Sequence, residues 1–227
     1  MRPMLMLAII VLPAMACAQN APALKTEKDK VSYAMGMDLG IELKTRTVNI
    51  DPALLSRGLT DALSGGETLL TASEAKEILA GLQKAIVARK AAEEKAARAT
   101  NAAAGEAFLA ANKAKDGVVT LPSGLQYKAI TTGTGQKPSV GDTVVCQYRG
   151  TLVDGKEFDS TYKRGQPATF PVKTAIKGWV EVLPLMPVGS KWQVFVPPDL
   201  AYGARGAGAD IGPNATLIFE IELVAIK

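Results

Sequence analysis

Beyond residue 117, apolar and polar positions alternate along the chain. Residues 125–130, 143–148, 191–196 and 217–223 carry this period of two and read as strands. Turn clusters bound them at Thr132-Gly-Thr-Gly135, Asp154-Gly155, Pro197-Pro198 and residues 203–212. Asp-Gly between two apolar runs predicts a hairpin. The period lengthens once, over residues 176–183, where Ile176, Trp179 and Leu183 share one helical face. The pattern predicts an α+β domain over residues 118–227, an antiparallel sheet wrapped on one short helix.

Upstream the pattern is helical. Residues 30–43 place Val31, Met35, Leu39 and Leu43 on one stripe, which Met37 and Ile41 widen. A second helix is expected over residues 52–63, capped by Asp51 and opened by Pro52. Gly65-Gly66 closes this region, residues 24–66. Two short helices cannot bury that stripe between themselves. A second copy of the chain is the simplest cover, so an N-terminal helical dimerisation region is expected. Residues 71–115 contain seventeen alanines, eight Lys or Arg, five Asp or Glu and no proline. They predict one long linker helix of about 65 Å. Its apolar stripe is dense at Ile78, Leu82 and Ile86 and thin after Ala91. The first part is therefore expected to pack and the remainder to stand in water, as a solvated spacer or, alternatively, a coiled coil with an alanine seam.

The first residues belong to targeting rather than fold. Arg2 is the only charge before Lys25, and an apolar run from Leu5 to Leu12 precedes Pro13 and small residues. That run is too short to cross a bilayer, which needs about 20 apolar residues. It reads as an export signal over residues 1–18. Ala16-Cys17-Ala18 fits cleavage before Gln19 and a periplasmic protein. Ala14-Met15-Ala16-Cys17 offers the alternative of a lipoprotein with a signal over residues 1–16, anchored to the outer membrane through Cys17.

Composition narrows the chemistry. The 227 residues contain no histidine, which excludes Ser-His and Cys-His nucleophile pairs and His-ligated metal sites. Two cysteines, Cys17 and Cys146, are too few for a zinc cluster or a disulfide framework. A net charge of +4 is too mild to argue for nucleic acid. Asp154, Glu157 and Asp159 cluster near the expected hairpin but lack the spacing of a calcium loop. The glycines of residues 203–208 lack the nucleotide fingerprint. Aromatic residues are few, twelve in all, yet ten fall from Tyr127 onward. They either fill a small core or line an apolar cleft with one or two polar groups.

Four segments carry a resemblance. Val144-Val-Cys-Gln-Tyr-Arg-Gly-Thr-Leu-Val-Asp-Gly-Lys-Glu-Phe-Asp-Ser160, Ile176-Lys-Gly-Trp179, Leu200-Ala-Tyr-Gly203 and Pro213-Asn-Ala-Thr-Leu-Ile-Phe219 resemble the FKBP family of peptidyl-prolyl cis-trans isomerases. Lys30-Val-Ser-Tyr-Ala-Met-Gly36 and Gly105-Glu-Ala-Phe-Leu-Ala-Ala-Asn112 look like the macrophage infectivity potentiator class of exported bacterial members. The resemblance implies a half-barrel sheet around the short helix, with a cleft between them. It places Tyr148, Phe158, Trp179 and Phe219 as substrate-binding residues, Trp179 being the floor. It gives Asp159, Tyr202 and Ile176 the catalytic roles. The Ile176 N–H and the Tyr202 hydroxyl would hold substrate carbonyls, and Asp159 would be the polar part of the wall. No cofactor and no metal are implied. The expected partners are unfolded or proline-containing clients, a second copy through the N-terminal helices, and macrolide inhibitors. The implied function is prolyl isomerisation during folding of exported proteins, with a dimeric periplasmic chaperone of little turnover as the alternative. Ala168, Ala207 and Asp210 depart from the family pattern at the rim. Client preference and macrolide binding are therefore expected to differ more than the reaction.

Overall fold

A computed structural model describes residues 24–227. The export signal over residues 1–18 and Cys17 lie outside the described residues. The elements are α1 (Glu27–Thr45), α2 (Pro52–Ser64), α3 (Ala72–Asn112), β1 (Val118–Thr120), β2 (Gln126–Thr131), β3 (Thr143–Leu152), β4 (Glu157–Ser160), α4 (Thr161–Arg164), β5 (Ala168–Pro171), α5 (Lys177–Val182), β6 (Lys191–Val196) and β7 (Leu217–Ile226). The described residues fall into two units divided within α3, one up to residue 77 and the other over 78–227.

In the first unit, local caps set the helix ends. The Thr26 hydroxyl accepts from the Asp29 N–H at 3.1 Å, and the Asp29 carboxylate accepts from the Thr26 N–H at 2.9 Å. This capping box starts α1 three residues earlier than the apolar stripe indicated. Asp51 accepts from the Ala53 and Leu54 N–H groups to open α2, and Gly65 closes it at φ +67°. Thr71 and Glu74 form the same reciprocal box at the head of α3. Neither α1 nor α2 buries a residue. Met35, for example, is 70% exposed.

The second unit is built on a seven-stranded antiparallel sheet in the order β1-β2-β6-β7-β3-β4, with β5 pairing the first half of β3. The expected hairpin joins β3 to β4, with Gly155 at φ +88° and the Asp154 carboxylate accepting from the Lys156 N–H at 2.9 Å. β1, β4 and β5, of three or four residues, were too short to show a period. Along β7, Leu217, Phe219, Ile221 and Leu223 are all buried. With Trp192, Val194 and Val196 of β6, they make the sheet face against which Trp179, Val182 and Leu183 pack. The helix expected over residues 176–183 is α5 followed by a tight turn at Leu183–Leu185. A Cβ on Gly178 would lie 2.6 Å from Val196, so α5 approaches the sheet as closely as glycine permits.

The expected division of α3 holds only in part. Of the stripe expected to pack, Ile78 is exposed while Leu82 and Ile86 are half-buried, and the last turns, expected to stand in water, pack against the sheet. Phe108 meets Phe195 with ring centroids 5.7 Å apart. A Cβ on Gly105 would lie 2.3 Å from the Thr216 hydroxyl. Buried Asn112 donates to the Gln126 side chain at 3.0 Å, and Gln126 donates to the Leu109 carbonyl at 2.9 Å. A search for a dense apolar stripe misses this seam because glycine, asparagine and glutamine form much of it. α3 ends at Asn112, before the Asp116-Gly117 pair expected to stop it.

Candidate active site

One cavity of about 210 Å³ is lined by all seven residues that the resemblance brought forward: Tyr148, Phe158, Asp159, Ile176, Trp179, Tyr202 and Phe219. They come from β3, β4, the start of α5, the turn after Leu200 and β7. Trp179 is 5% exposed and takes its place through the α5–sheet contact. Its ring meets Tyr148 edge-on at 5.0 Å, Phe219 edge-on at 5.1 Å and Phe170 tilted at 5.5 Å. Phe158 stands edge-on to Phe219 at 5.6 Å. Edge-to-face contacts fix ring orientation as well as burying area.

Gly150 makes this cluster possible. A Cβ there would lie 2.6 Å from the Phe158 ring and 2.9 Å from the Phe219 ring. Thr161 fixes the neighbouring Tyr148, its hydroxyl accepting from the Tyr148 N–H at 2.8 Å and donating to the Tyr148 carbonyl at 3.1 Å.

The polar wall is a three-way network. The Tyr148 hydroxyl donates to the Asp159 carboxylate at 2.5 Å, and Arg164 pairs with the other oxygen of Asp159. Arg164 also donates to the Tyr148 hydroxyl at 2.9 Å. Burial, reinforced by the bond to Asp159, pushes the Tyr148 phenol above its usual range, so it remains a donor. The hydrogen bond to Tyr148 raises Arg164 further, which keeps its charge permanent. Sequence reasoning did not bring forward Arg164 or Thr161, which act from the short α4, nor Gly150, Phe170, Thr174 or Ala175. The signal for Arg164 was the basic pair Lys163-Arg164, four and five residues beyond Asp159.

The Ile176 carbonyl accepts from the Trp179 and Val180 N–H groups, while its own N–H has no backbone acceptor among the described residues. Tyr202 is 41% exposed at the mouth. Ala168 also lines the cavity. Ala207 and Asp210 do not. Ala207 exchanges backbone hydrogen bonds with Ile211, and the Asp210 carboxylate pairs with Lys156 at 2.8 Å.

A family model described as the FKBP-type peptidyl-prolyl cis-trans isomerase matches residues 134–224, and one described as the domain amino terminal to it matches residues 28–129. The chain is 52% identical over 210 residues to a Legionella longbeachae protein named outer membrane protein MIP, covering 92% of this chain and 90% of that one. The chain belongs to the FKBP-type peptidyl-prolyl cis-trans isomerases. It is 47% identical over 210 residues to the Coxiella burnetii peptidyl-prolyl cis-trans isomerase Mip, across 92% of this chain and 91% of that relative. The crystal structure of FkpA from Escherichia coli superposes with a TM-score of 0.69 at 34% identity, over 90% of this chain and 99% of that one. The isomerase therefore has the N-terminal helices, long helix and antiparallel sheet expected of the family.

Proposed function

We propose that the Trp179-floored cavity is where this isomerase rotates X-Pro bonds. The observation that carries the reading is the convergence of seven residues from five separate segments on one apolar pocket with a single carboxylate in its wall. Rotation of an X-Pro bond faces a barrier of about 18–20 kcal/mol, because twisting destroys amide resonance. The planar amide is the more charge-separated form, and the twisted one is less so. A dry aromatic cleft therefore favours the twisted state over the planar ground state. Trp179 supports the proline ring. The Ile176 N–H and the Tyr202 hydroxyl hold the flanking carbonyls and keep the peptide twisted. Asp159, ion-paired with Arg164 and hydrogen-bonded by Tyr148, supplies a polar wall without an unpaired charge. The rotation needs no nucleophile and no proton donor.

The rest of the chain fits the same reading. Residues 24–66 act as a dimerisation region, covering the exposed stripe with a second copy. Residues 71–115 link that region to the isomerase domain, residues 118–227. The protein acts on unfolded, proline-containing clients after export, in the periplasm or, if Cys17 is acylated, at the outer membrane. Macrolides would enter the same cleft. The names of the relatives favour turnover over a chaperone that merely holds clients. Acceleration of isomerisation in a proline tetrapeptide, read by a conformer-selective protease, tests the reading. The wild-type protein accelerates the reaction and Trp179→Leu loses most of that rate while still folding. A wild-type protein that leaves the uncatalysed rate unchanged overturns the proposal.

A further inference from the structure

The loop after Tyr202 has a second side. Tyr202 lines the cleft, whereas Arg205, Gly208 and Gly212 wall another pocket of about 380 Å³, closed opposite by Lys90, Glu94 and Arg98 of α3. Those three are spaced four apart and share one helix face. The loop is held firmly. The Ala207 N–H donates to the Ile211 carbonyl at 2.8 Å, and Ile211 returns the bond at 3.1 Å. Gly206 permits this turn at φ +66°, since a Cβ there would lie 2.2 Å from the Ile211 oxygen. The Asn101 side chain donates to the Pro213 carbonyl at 2.9 Å, pinning the loop to α3. The two walls of the pocket are therefore fixed to each other.

Its charges are unbalanced. Lys90, Arg98 and Arg205 have no ion-pair or hydrogen-bond partner among the described residues. Glu94 is the one carboxylate in the wall. The neighbouring acids are engaged elsewhere, Glu93 with Arg89 at 3.7 Å and Asp210 with Lys156 at 2.8 Å. Three cations against one carboxylate leave the recess net positive, a field that attracts an outside anion.

We propose that this recess is an auxiliary subsite for acidic side chains of the client, engaged while the X-Pro bond occupies the cleft on the other side of the loop. The proposal rests on the isomerase reading of that cleft. It assigns a client class, proline-containing segments flanked by Asp or Glu, to a chain whose net charge is +4. Because the three cations are solvent-exposed, the attraction acts chiefly on encounter and is screened by salt.

The test uses the full-length protein and three peptide series sharing one X-Pro core. One is extended on either side by Asp and Glu, one by Ser and Gly, and one by Lys. At low salt the acidic series should show a KM about five- to tenfold below the neutral series, with kcat unchanged. About 0.5 M salt should remove the difference. The variant Lys90→Gln/Arg98→Gln/Arg205→Gln, whose side chains are exposed, should turn over the neutral series as the wild type does and lose the acidic preference. Equal KM values for acidic and neutral peptides in the wild type overturn the subsite. So does an acidic preference that survives in the triple variant. Failure of the wild type to turn over any series would instead overturn the cleft reading beneath it.

Discussion

In β7, Leu217, Phe219, Ile221 and Leu223 are buried, while in α1, Val31, Met35 and Leu39 stand exposed. Both segments are strongly apolar, and only one finds cover within its own unit. The sheet closes over α5 and leaves one aromatic cavity; the N-terminal helices cap their ends and bury nothing. Apolar patches left this way usually mark an interface. The contrast separates two tasks. On the proposed reading, the sheet unit carries the reaction and the helical unit carries assembly.

The sharpest way to break this division is at the floor of the cleft. Trp179→Ala should cost about 3–5 kcal/mol of stability and most of the turnover, read by urea denaturation and the peptide assay. Full activity in a folded variant would falsify the cleft assignment. A chain starting at Val118 comes next. It removes Phe108 from Phe195 and leaves Gln126 without Asn112, so it should lose about 2–4 kcal/mol relative to a chain starting at Ala91. Equal stability would make the end of α3 a spacer after all.

Gly150→Ala should destabilise by about 1–3 kcal/mol, because its methyl group displaces Phe158 and Phe219. Turnover should fall with it, and an unchanged kcat/KM would detach those rings from the site. The alkaline limb of stability tests the core beneath. Burial pushes the Cys146 thiol from 9.0 up to about 12. A raised folded-state value means that the thiol's contribution is intact below pH 9 and is lost as pH rises toward 12. The slope is at most about 1.4 kcal/mol per pH unit. Cys146→Ala should flatten that limb of the urea midpoint between pH 9 and 11, and an unchanged slope would contradict the burial argument. The smallest effect on stability belongs to Asp159→Asn, which keeps shape and removes charge. Activity should fall in part, and unchanged kinetics would remove Asp159 from the mechanism.

Much of this was legible in the residues. Long alternating strands such as β6 and β7 announce themselves through period two, and the motifs around Tyr148, Trp179 and Tyr202 bring the cleft residues forward. The short strands β1, β4 and β5 carry too few residues for a period. The docking of α3 was misread because its seam uses the absence of a side chain at Gly105 and the amides of Asn101 and Asn112. Hydrophobic pattern does not register either. Arg164 escaped because its role depends on the chain turning at α4 to face Asp159.

The most direct test of the division compares one chain with itself, whole and shortened to residues 91–227, in two assays: tetrapeptide isomerisation and refolding of a proline-limited protein. Sedimentation fixes the state of each. The account predicts a dimeric full chain, a monomeric short one, equal tetrapeptide kcat/KM per chain, and a marked loss of refolding rate in the short chain. A tetrapeptide kcat/KM that collapses on shortening, or a monomer that refolds the client as well as the full chain, would contradict it.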